Sequence, residues 1–592
     1  MHENASGPDK ESTVVRLTLV GLGLCLVTAS LLDFVMNLAG SLGQLVIGDA
    51  DRLAAALNRL LPFRLLPLAV GVALVMGSAL WFKIPACVFR TKSVVRAIWD
   101  RHGLVLVLVL YASLTIATLV LTPLGFDEAY NLTVPRNLAL HGFYGSTVRG
   151  TQIPFDPFIS TGPAVLGPIG LLFYLLGDSI LVARLVMVAH HLLLVILVLF
   201  LVDRWIGRRA IPLAVLVLMG IPGHLFQASS VLGELPAVMW FLGGVVTANQ
   251  ALRAGSSLQP QGRIAVVGSG VMWGLAVLSK PTFVVMLGSS LAIVIYLRMR
   301  HDLDAGELRW WLSIIGIAGI LTVGWFVVSA ILRGPANYAL DVVAASGAGL
   351  SLVDPHLFQN FSRNLPLLAG RLDLAVLIGA ITFFWASKRH EPSPVAQRIV
   401  LGAAACWAVW WILFNGRGWI RHAYPALVLL TIPITHFASE LIRELRVNTE
   451  YQPQVAGGRT RSVGRTAVWA IGMALFMMLV AQQTANITSL SRARDIKRQQ
   501  DQLVEYLNQE APDASLTGLG WLLAWDVSYR LPDRPVLDLL QLEAAKARDA
   551  VLIVTPAGPD LKEVPADYQL EPIVDFGEYE LYRVRLVTEQ LK

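Results

Sequence analysis

The stretch "LTPLGFDEAYNL", residues 121–132, ends an apolar run on two adjacent carboxylates, Asp127 and Glu128. A helix needs about 20 mostly apolar residues to cross a bilayer, and the run 103–122 has that length. Charged side chains are costly inside a membrane, so the two acids belong at its surface. The stretch therefore predicts a membrane helix that leads directly into a polar site at one face of the bilayer.

The composition of the whole chain agrees with a membrane location. Of its 592 residues 55% are hydrophobic and 15% are charged, whereas soluble proteins carry about 25% charged residues. The net charge of +6 comes from basic residues in short loops between apolar runs, so no nucleic-acid partner is expected. Cys25, Cys87 and Cys406 show neither metal-ligand spacing nor a disulfide framework.

The apolar runs predict an α-helical polytopic membrane protein with about 13 transmembrane helices. The predicted spans are 14–36, 65–88, 103–122, 180–202, 211–224, 233–251, 264–279, 281–297, 310–332, 372–387, 399–415, 422–442 and 466–484. The run 163–177 is shorter and contains Pro168, which indicates an interfacial or half-inserted helix.

Lysine and arginine predict the orientation of these spans. The basic segments "RTKSVVRAIWDR" (90–101) and "DRWIGRR" (203–209) lie on the same side only if 163–177 does not cross the membrane. Because cytoplasmic loops are enriched in Lys and Arg, this side is cytoplasmic. We therefore expect a multi-pass protein of the inner (plasma) membrane with a cytoplasmic N-terminus and with Asp127 facing outward.

Three regions follow from this pattern. Residues 1–100 form an N-terminal two-helix extension, and residues 101–484 form the membrane core with a large outer loop at 123–179. Residues 485–592 are more charged and are predicted to be a small extracytoplasmic α/β domain. It begins with a helical stretch near 491–510 and closes with a hairpin around Gly577.

The acids of the outer side allow two interpretations. Carboxylates are common where any helix leaves a membrane, but the outer loop is long, and long loops tend to be functional. Adjacent helical residues do not share a face, so we expect Asp127 to point into a cavity and Glu128 to bond elsewhere. Glu234 either complements the positive end of its own helix or shares the cavity with Asp127.

Outward-facing cations are the second sign of a site. Lys280, Arg184, Arg417 and Arg421 lie in outer turns or close to outer helix ends. Such side chains often extend toward lipid phosphates, yet four of them beside an acidic loop favour a site. Arginine and lysine stabilise a phosphate leaving group, and a carboxylate can accept the proton of an attacking hydroxyl.

Four segments resemble the GT-C superfamily of polyprenyl-phosphate-sugar-dependent glycosyltransferases, in the bacterial branch similar to aminoarabinose transferases and protein O-mannosyltransferases. They are "FDEAYNLTVPRNLALHGFYGS" (126–146), "STGPAVLGPIGLLFYLLGDSILVARLV" (160–186), "GLAVLSKPTFVV" (274–285) and "RHAYPALVLL" (421–430). The likeness spans roughly 100–440 and is ordered along the chain.

The resemblance implies an inverting transfer of a sugar from a polyprenyl phosphate to a hydroxyl acceptor on the extracytoplasmic side. It places Asp127 as catalytic base with Glu128 beside it. Lys280 and Arg421, with Arg184 and Arg417 as lesser candidates, would bind the donor phosphate. Glu234, Tyr130 and Tyr424 would line the acceptor side or the cavity.

The chain departs from the family at two places. Relatives often carry "HPPL" where this chain has Thr161-Gly162-Pro163-Ala164, and Glu234 lacks the preceding arginine of an "RxD"-like segment. A divalent metal is therefore left open, without a convincing ligand set, and His356 is a weak candidate ligand.

Several alternatives remain at the level of the sequence. The acceptor is a lipid, a glycan or a protein. The main rival function is a transporter or flippase of lipid-linked sugars, for which His190 and His191 in the middle of a predicted span are the best support.

Overall fold

A computed structural model of the chain describes residues 104–148, 151–154, 161–221, 223–253, 260–334, 358–362, 364, 395–415, 420–450, 488–512, 514–518, 525–531, 534, 537–538, 550–554, 568–577 and 579–586. The predicted spans 14–36, 65–88, 372–387 and 466–484 lie outside the described residues, as do Arg417 and His356. The chain divides into two compact units. One of them, comprising 113–210, 223–437 and 492–592, includes Asp127, Glu128, Arg184, Glu234, Lys280 and Arg421.

The described chain is mainly helical up to residue 450. Its helices are α1 (Leu104–Leu121), α2 (Phe126–His141), α3 (Pro163–Leu176), α4 (Ile180–Trp205), α5 (Ile211–Met219), α6 (His224–Ser229), α7 (Glu234–Arg253), α8 (Pro260–Ser279), α9 (Val284–Met299), α10 (Ala305–Arg333), α11 (Val395–Phe414) and α12 (Tyr424–Glu450). Between α2 and α3, β1 (Gly145–Val148) and β2 (Thr151–Pro154) form an antiparallel hairpin.

Five described helical segments are long and apolar enough to cross a membrane: Ile180–Trp205, Gly262–Ser279, Pro281–Met299, Ala305–Arg333 and Val395–Phe414. Helix α10 illustrates their surfaces, since Ile320, Val323 and Ile331 are each more than half exposed. A row of exposed apolar side chains along a helix fits contact with lipid. The chain is a multi-pass membrane protein.

Two shorter apolar runs differ in structure. Helix α3 has 14 residues, which at a rise of 1.5 Å per residue gives about 21 Å, shorter than the hydrocarbon core. The predicted single span 211–224 is interrupted. Helix α5 stops at Met219 and α6 starts after Gly223, whose φ of 71° breaks the helical path.

Glycines allow α8 to pack closely against its neighbours. A Cβ atom at Gly244 of α7 would lie 2.4 Å from the Trp273 ring, and one at Gly270 would lie 2.7 Å from Ile317 of α10. Membrane helices associate mainly through such close packing, because lipid tails give them little hydrophobic drive. The position of the α8 end, where Lys280 follows, is therefore fixed by two neighbouring helices.

The described part of the C-terminal region combines two helices with a sheet. A helix, α13, covers 488–509, and α14 covers Trp525–Arg530. The strands β3 (Ser515–Gly518), β4 (Leu537–Asp538), β5 (Ala550–Val554), β6 (Tyr568–Asp575) and β7 (Glu580–Leu586) form one sheet in the order β4-β3-β5-β7-β6. β6 and β7 pair antiparallel about Gly577, whose φ is 87°, where the sequence predicts a hairpin.

Candidate active site

Helix ends from separate parts of the chain meet at one place. The turn between α1 and α2 and the start of α2 contact Arg184 near the start of α4, and Lys280, just after α8, contacts the start of α7. The turn before α12 contacts both α2 and α7. Charged side chains at these ends form the candidate site.

Glu128 and Arg184 form a buried, two-pronged ion pair. Arg184 Nε donates to Glu128 Oε1 at 2.9 Å and Nη2 donates to Oε2 at 2.8 Å, with both side chains at most 3% exposed. The remaining N–H groups of Arg184 donate to the carbonyls of Leu119, Thr122 and Pro123. All five guanidinium donors thus have protein acceptors, and the pair fixes the turn between α1 and α2.

Asp127, the second residue of α2, has a different environment. Its Oδ2 accepts a hydrogen bond from Arg421 Nη1. The Asp127 side chain is 38% exposed and the Arg421 side chain 26% exposed. Unlike the Glu128–Arg184 pair, this pair is open to an incoming molecule. The two neighbouring acids therefore differ in environment, as their positions on a helix predict.

Glu234 is the third carboxylate, and it is buried at the start of α7. Lys280 Nζ lies 3.3 Å from Glu234 Oε1, and His422 Nε2 lies 3.8 Å from the same oxygen. Arg421 also exerts an electrostatic attraction on the Glu234 carboxylate. Arg421 therefore lies within electrostatic range of both Asp127 and Glu234, which joins the two acids into one charged cluster.

Two glycines hold the backbone that precedes Lys280. The Gly162 N–H donates to the Ser279 carbonyl at 2.9 Å. A Cβ at Gly162 would lie 2.0 Å from the Leu278 carbonyl oxygen, and one at Gly233 would lie 2.2 Å from that of Ser279. No side chain larger than hydrogen fits at either position. Gly162, which lies in the segment 161–164 that lacks the "HPPL" pattern, thus has a clear packing function.

The two tyrosines predicted for the cavity have different surroundings. Tyr130 is half-buried and packs against the apolar core around α2 and α3. Tyr424 is fully buried, and its hydroxyl lies 2.8 Å from His224 Nδ1. The His224 ring in turn lies 4.7 Å from that of His191. His191 is thus part of a buried aromatic cluster.

Hydrogen bonds also define the turn at His422. Asn415 Nδ2 lies 2.8 Å from His422 Nδ1, and Trp407 Nε1 donates to the His422 carbonyl at 2.7 Å. An amide donor at Nδ1 places the imidazole proton on Nε2, the atom that faces Glu234. This arrangement anchors the residue next to Arg421 at the end of α11.

Among the residues that the structure describes, no three His, Cys, Asp or Glu side chains come together as a metal site. Gln500, which binds the backbone of the turn before Asp127, has no signal in the sequence. It lies on a charged helix where glutamine is an ordinary surface residue. The contact joins positions 376 residues apart, and no local pattern indicates it.

Comparison with known structures identifies similar folds. No protein family and no curated protein sequence matches the chain. The crystal structure of ArnT from Cupriavidus metallidurans in the apo state matches with a TM-score of 0.53 and 15% identity, over 82% of this chain and 98% of that one. The same protein bound to undecaprenyl phosphate also gives 0.53 and 15%, over 81% and 98%. The archaeal oligosaccharyltransferase AglB from Archaeoglobus fulgidus gives 0.48 and 12%, over 77% and 70%. The chain shares its fold with ArnT.

Proposed function

We propose, from the GT-C fold of this chain and from its charged cluster, that it transfers a sugar from a polyprenyl phosphate to a hydroxyl acceptor. The observation that carries the proposal is the grouping of Asp127, Arg421, Glu234 and Lys280 at the ends of membrane helices. ArnT, which has a similar fold, binds undecaprenyl phosphate. The phosphate of such a lipid is a group that Arg421 and Lys280 would recognise.

The proposed reaction is one displacement. The acceptor oxygen attacks the anomeric carbon opposite the phosphate, the bond from that carbon to the phosphate oxygen breaks, and the lipid phosphate leaves with the electron pair. Asp127 takes up the proton of the attacking hydroxyl. Arg421 and Lys280 stabilise the charge on the leaving phosphate. A single displacement inverts the anomeric configuration.

The Asp127–Arg421 contact supports an order of binding. A phosphate that engages Arg421 competes with Asp127 for the same guanidinium. Donor binding would then loosen the carboxylate from its partner and leave it for the acceptor hydroxyl. The Glu128–Arg184 pair is unsuited to this exchange, because it is buried and its donors are used. We therefore assign Glu128 and Arg184 to positioning.

Other residues complete the proposed site. Glu234 would hold Lys280 toward the donor phosphate, and Tyr424 would support the Arg421 turn through His224. Tyr130 and the outer loop 123–179 would form the acceptor side. Arg417 remains a candidate phosphate ligand on the strength of its sequence position alone.

The proposal includes the arrangement of the chain in the membrane. It has about 13 spans in the inner membrane, a cytoplasmic N-terminus, a 1–100 extension, a 101–484 core and an extracytoplasmic 485–592 domain. The lysine and arginine pattern supports this orientation. The acceptor would be a lipid, a glycan or a protein reached from that side.

The transporter alternative is less well supported. Transporter sites typically lie near the bilayer midplane, whereas the described charged cluster lies at helix ends. His191, the best support for transport, packs against His224 in a buried cluster. The fold likeness also does not favour this alternative.

A host strain that lacks the protein provides the test. We expect its lipid extract to contain an excess of a polyprenyl-phosphate sugar, measured by mass spectrometry. The wild-type gene and the exposed-site control Asp203→Asn should remove the excess, and Asp127→Asn should not. Removal of the excess by Asp127→Asn would overturn the proposed role of this carboxylate.

A further inference from the structure

We propose that Gln500, on helix α13, is a positioning residue for Asp127. Its side-chain amide binds the backbone of the turn that leads into α2, three residues before the acid. Gln500 Oε1 accepts from the Leu124 N–H at 3.1 Å, and Gln500 Nε2 donates to the Leu124 carbonyl at 3.0 Å. One side chain from the C-terminal region thus satisfies both backbone groups of Leu124.

The hydrogen bonds of the turn 122–125 show why this matters. Pro123 has no N–H, and the Thr122 and Gly125 N–H groups bind the Thr118 carbonyl and Glu128 Oε2. The carbonyls of 122 and 123 accept from Arg184, and that of 125 accepts from the N–H of residue 129. Among the hydrogen bonds of this turn to residues that the structure describes, those of Leu124 have a partner outside the membrane core. Removing Gln500 would leave two buried backbone groups unpaired, which native structures avoid.

Gln500 is itself held in a fixed orientation. It is 4% exposed, and its Nε2 lies 2.8 Å from Asp526 Oδ2 and 2.7 Å from the Tyr579 hydroxyl. The Tyr579 hydroxyl also donates to Asp526 Oδ2. These acceptors orient the amide, so that its oxygen faces the Leu124 N–H and its nitrogen faces the Leu124 carbonyl.

A second contact joins helix α2 to the C-terminal region. Arg136 of α2 pairs with Asp178 and donates to the Tyr529 carbonyl at 3.0 Å, with its guanidinium 3.7 Å from the centre of the Tyr529 ring. The Tyr529 hydroxyl donates to Asp178 as well. Helix α2 is therefore held near both its start and its middle by the C-terminal region.

This role rests on the proposed function, because it acts through Asp127. Displacing a reacting group by about 1 Å can cost on the order of 10²-fold in rate. Loss of the Gln500 amide should therefore slow the transfer step and leave donor binding intact, since Lys280 and Arg421 are held by other elements. If Gln500 acted on stability alone, its loss would lower the transfer rate and donor binding together, each in proportion to the folded fraction.

The test uses the purified full chain in lipid vesicles, with an extract of the host cell envelope that supplies both the lipid-linked sugar donor and the hydroxyl acceptor. We expect Gln500→Met to release polyprenyl phosphate about 10–100-fold more slowly than wild type, with unchanged stoichiometry of polyprenyl phosphate binding. Gln509→Met makes the same change at an exposed position of the same helix and should behave as wild type. If Gln500→Met does not fold, Gln500→Asn, whose shorter amide cannot reach both Leu124 groups, should be about tenfold slower.

A double-mutant cycle with Asp127→Glu adds a readout that a purely structural role would not move. Asp127→Glu already displaces the carboxylate, so Gln500→Met should cost less in that background than in wild type. Equal costs in both backgrounds, or a wild-type rate for the Gln500 variant that folds, would overturn the positioning role. A wild-type rate for Asp127→Asn would instead overturn the proposed function itself.

Discussion

At the scale of single residues, each carboxylate of the site touches one cation, and the environment of each pair differs. Glu128–Arg184 is buried, Glu234–Lys280 is buried with His422 nearby, and Asp127–Arg421 is partly exposed. A buried pair is costly to break because the remaining charge lacks a partner. An exposed pair exchanges partners more readily. The exposed pair is therefore the one suited to chemistry, and the buried pairs are suited to holding its surroundings.

Variants of the Glu234–Lys280 pair can distinguish its effect on stability from its effect on activity. We expect Glu234→Gln to destabilise the protein by about 3–5 kcal/mol, because it removes the carboxylate that pairs with the buried Lys280 ammonium. The double variant Glu234→Gln, Lys280→Met removes both charges and should recover much of the melting temperature. It should remain inactive, because the phosphate loses a cation. Recovery of activity in the double variant would show that Lys280 does not bind the donor.

Arg184 should behave as a structural residue. Arg184→Lys keeps the charge but loses the planar fork that binds Glu128 and three carbonyls. We expect thermal unfolding in detergent to show a loss of about 1–3 kcal/mol, because buried carbonyls lose their donors, with donor binding retained by the folded fraction. Arg204→Lys, at an exposed position of the same helix, is the matched control. A stable Arg184→Lys protein that has lost donor binding would assign the arginine to the phosphate instead.

At the scale of elements, the end of α8 determines where Lys280 lies. Gly162 and Gly233 pack directly against the backbone carbonyls that precede Lys280. Gly270 and Gly274 let α8 approach α10 closely. Small residues at these contacts leave no room for a shift of the helix without a cost elsewhere.

Gly162→Ala tests this packing. Because the new Cβ would lie 2.0 Å from the Leu278 carbonyl oxygen, we expect the α8 end to move and the rate of transfer to fall about tenfold or more. Gly167→Ala on α3 places its Cβ in open space and should be neutral or slightly stabilising. Equal activity of the two variants, measured as polyprenyl phosphate release, would contradict the packing account.

Much of this element pattern could be predicted from the sequence. Apolar runs located the described spans, because bilayer thickness sets helix length, and the resemblance grouped the acids and cations by their order along the chain. The break between α5 and α6 was missed, since Gly220, Pro222 and Gly223 lie inside an otherwise apolar run. The Gln500–Leu124 contact could not be predicted, because only the tertiary fold brings these residues together.

At the scale of the whole molecule, the C-terminal region and the membrane core are linked through a buried acid. Burial raises the pKa of the Asp526 carboxyl, despite its hydrogen bonds from Tyr579 and Gln500. The folded state thus binds the proton more tightly than the unfolded chain. Asp526 contributes stability below its unfolded pKa, and this stability is lost as the pH rises through the folded pKa.

The pH dependence of unfolding checks this linkage. Relative to wild type, Asp526→Asn should gain melting temperature as the pH rises from about 4, because the asparagine carries no charge to bury. Melting of the two full-length proteins across pH gives the comparison. A difference that stays constant with pH would mean that Asp526 does not titrate between the two states.

The most direct measurement of the central claim is the fate of the donor lipid on the purified protein. Wild type should release one polyprenyl phosphate for each sugar that reaches the acceptor, with the anomeric configuration inverted. Asp127→Asn should lose this release by about 10²–10⁴-fold while still binding polyprenyl phosphate. Undiminished release by Asp127→Asn, or movement of intact lipid-linked sugar across the vesicle membrane without release, would contradict a glycosyl transfer at this site.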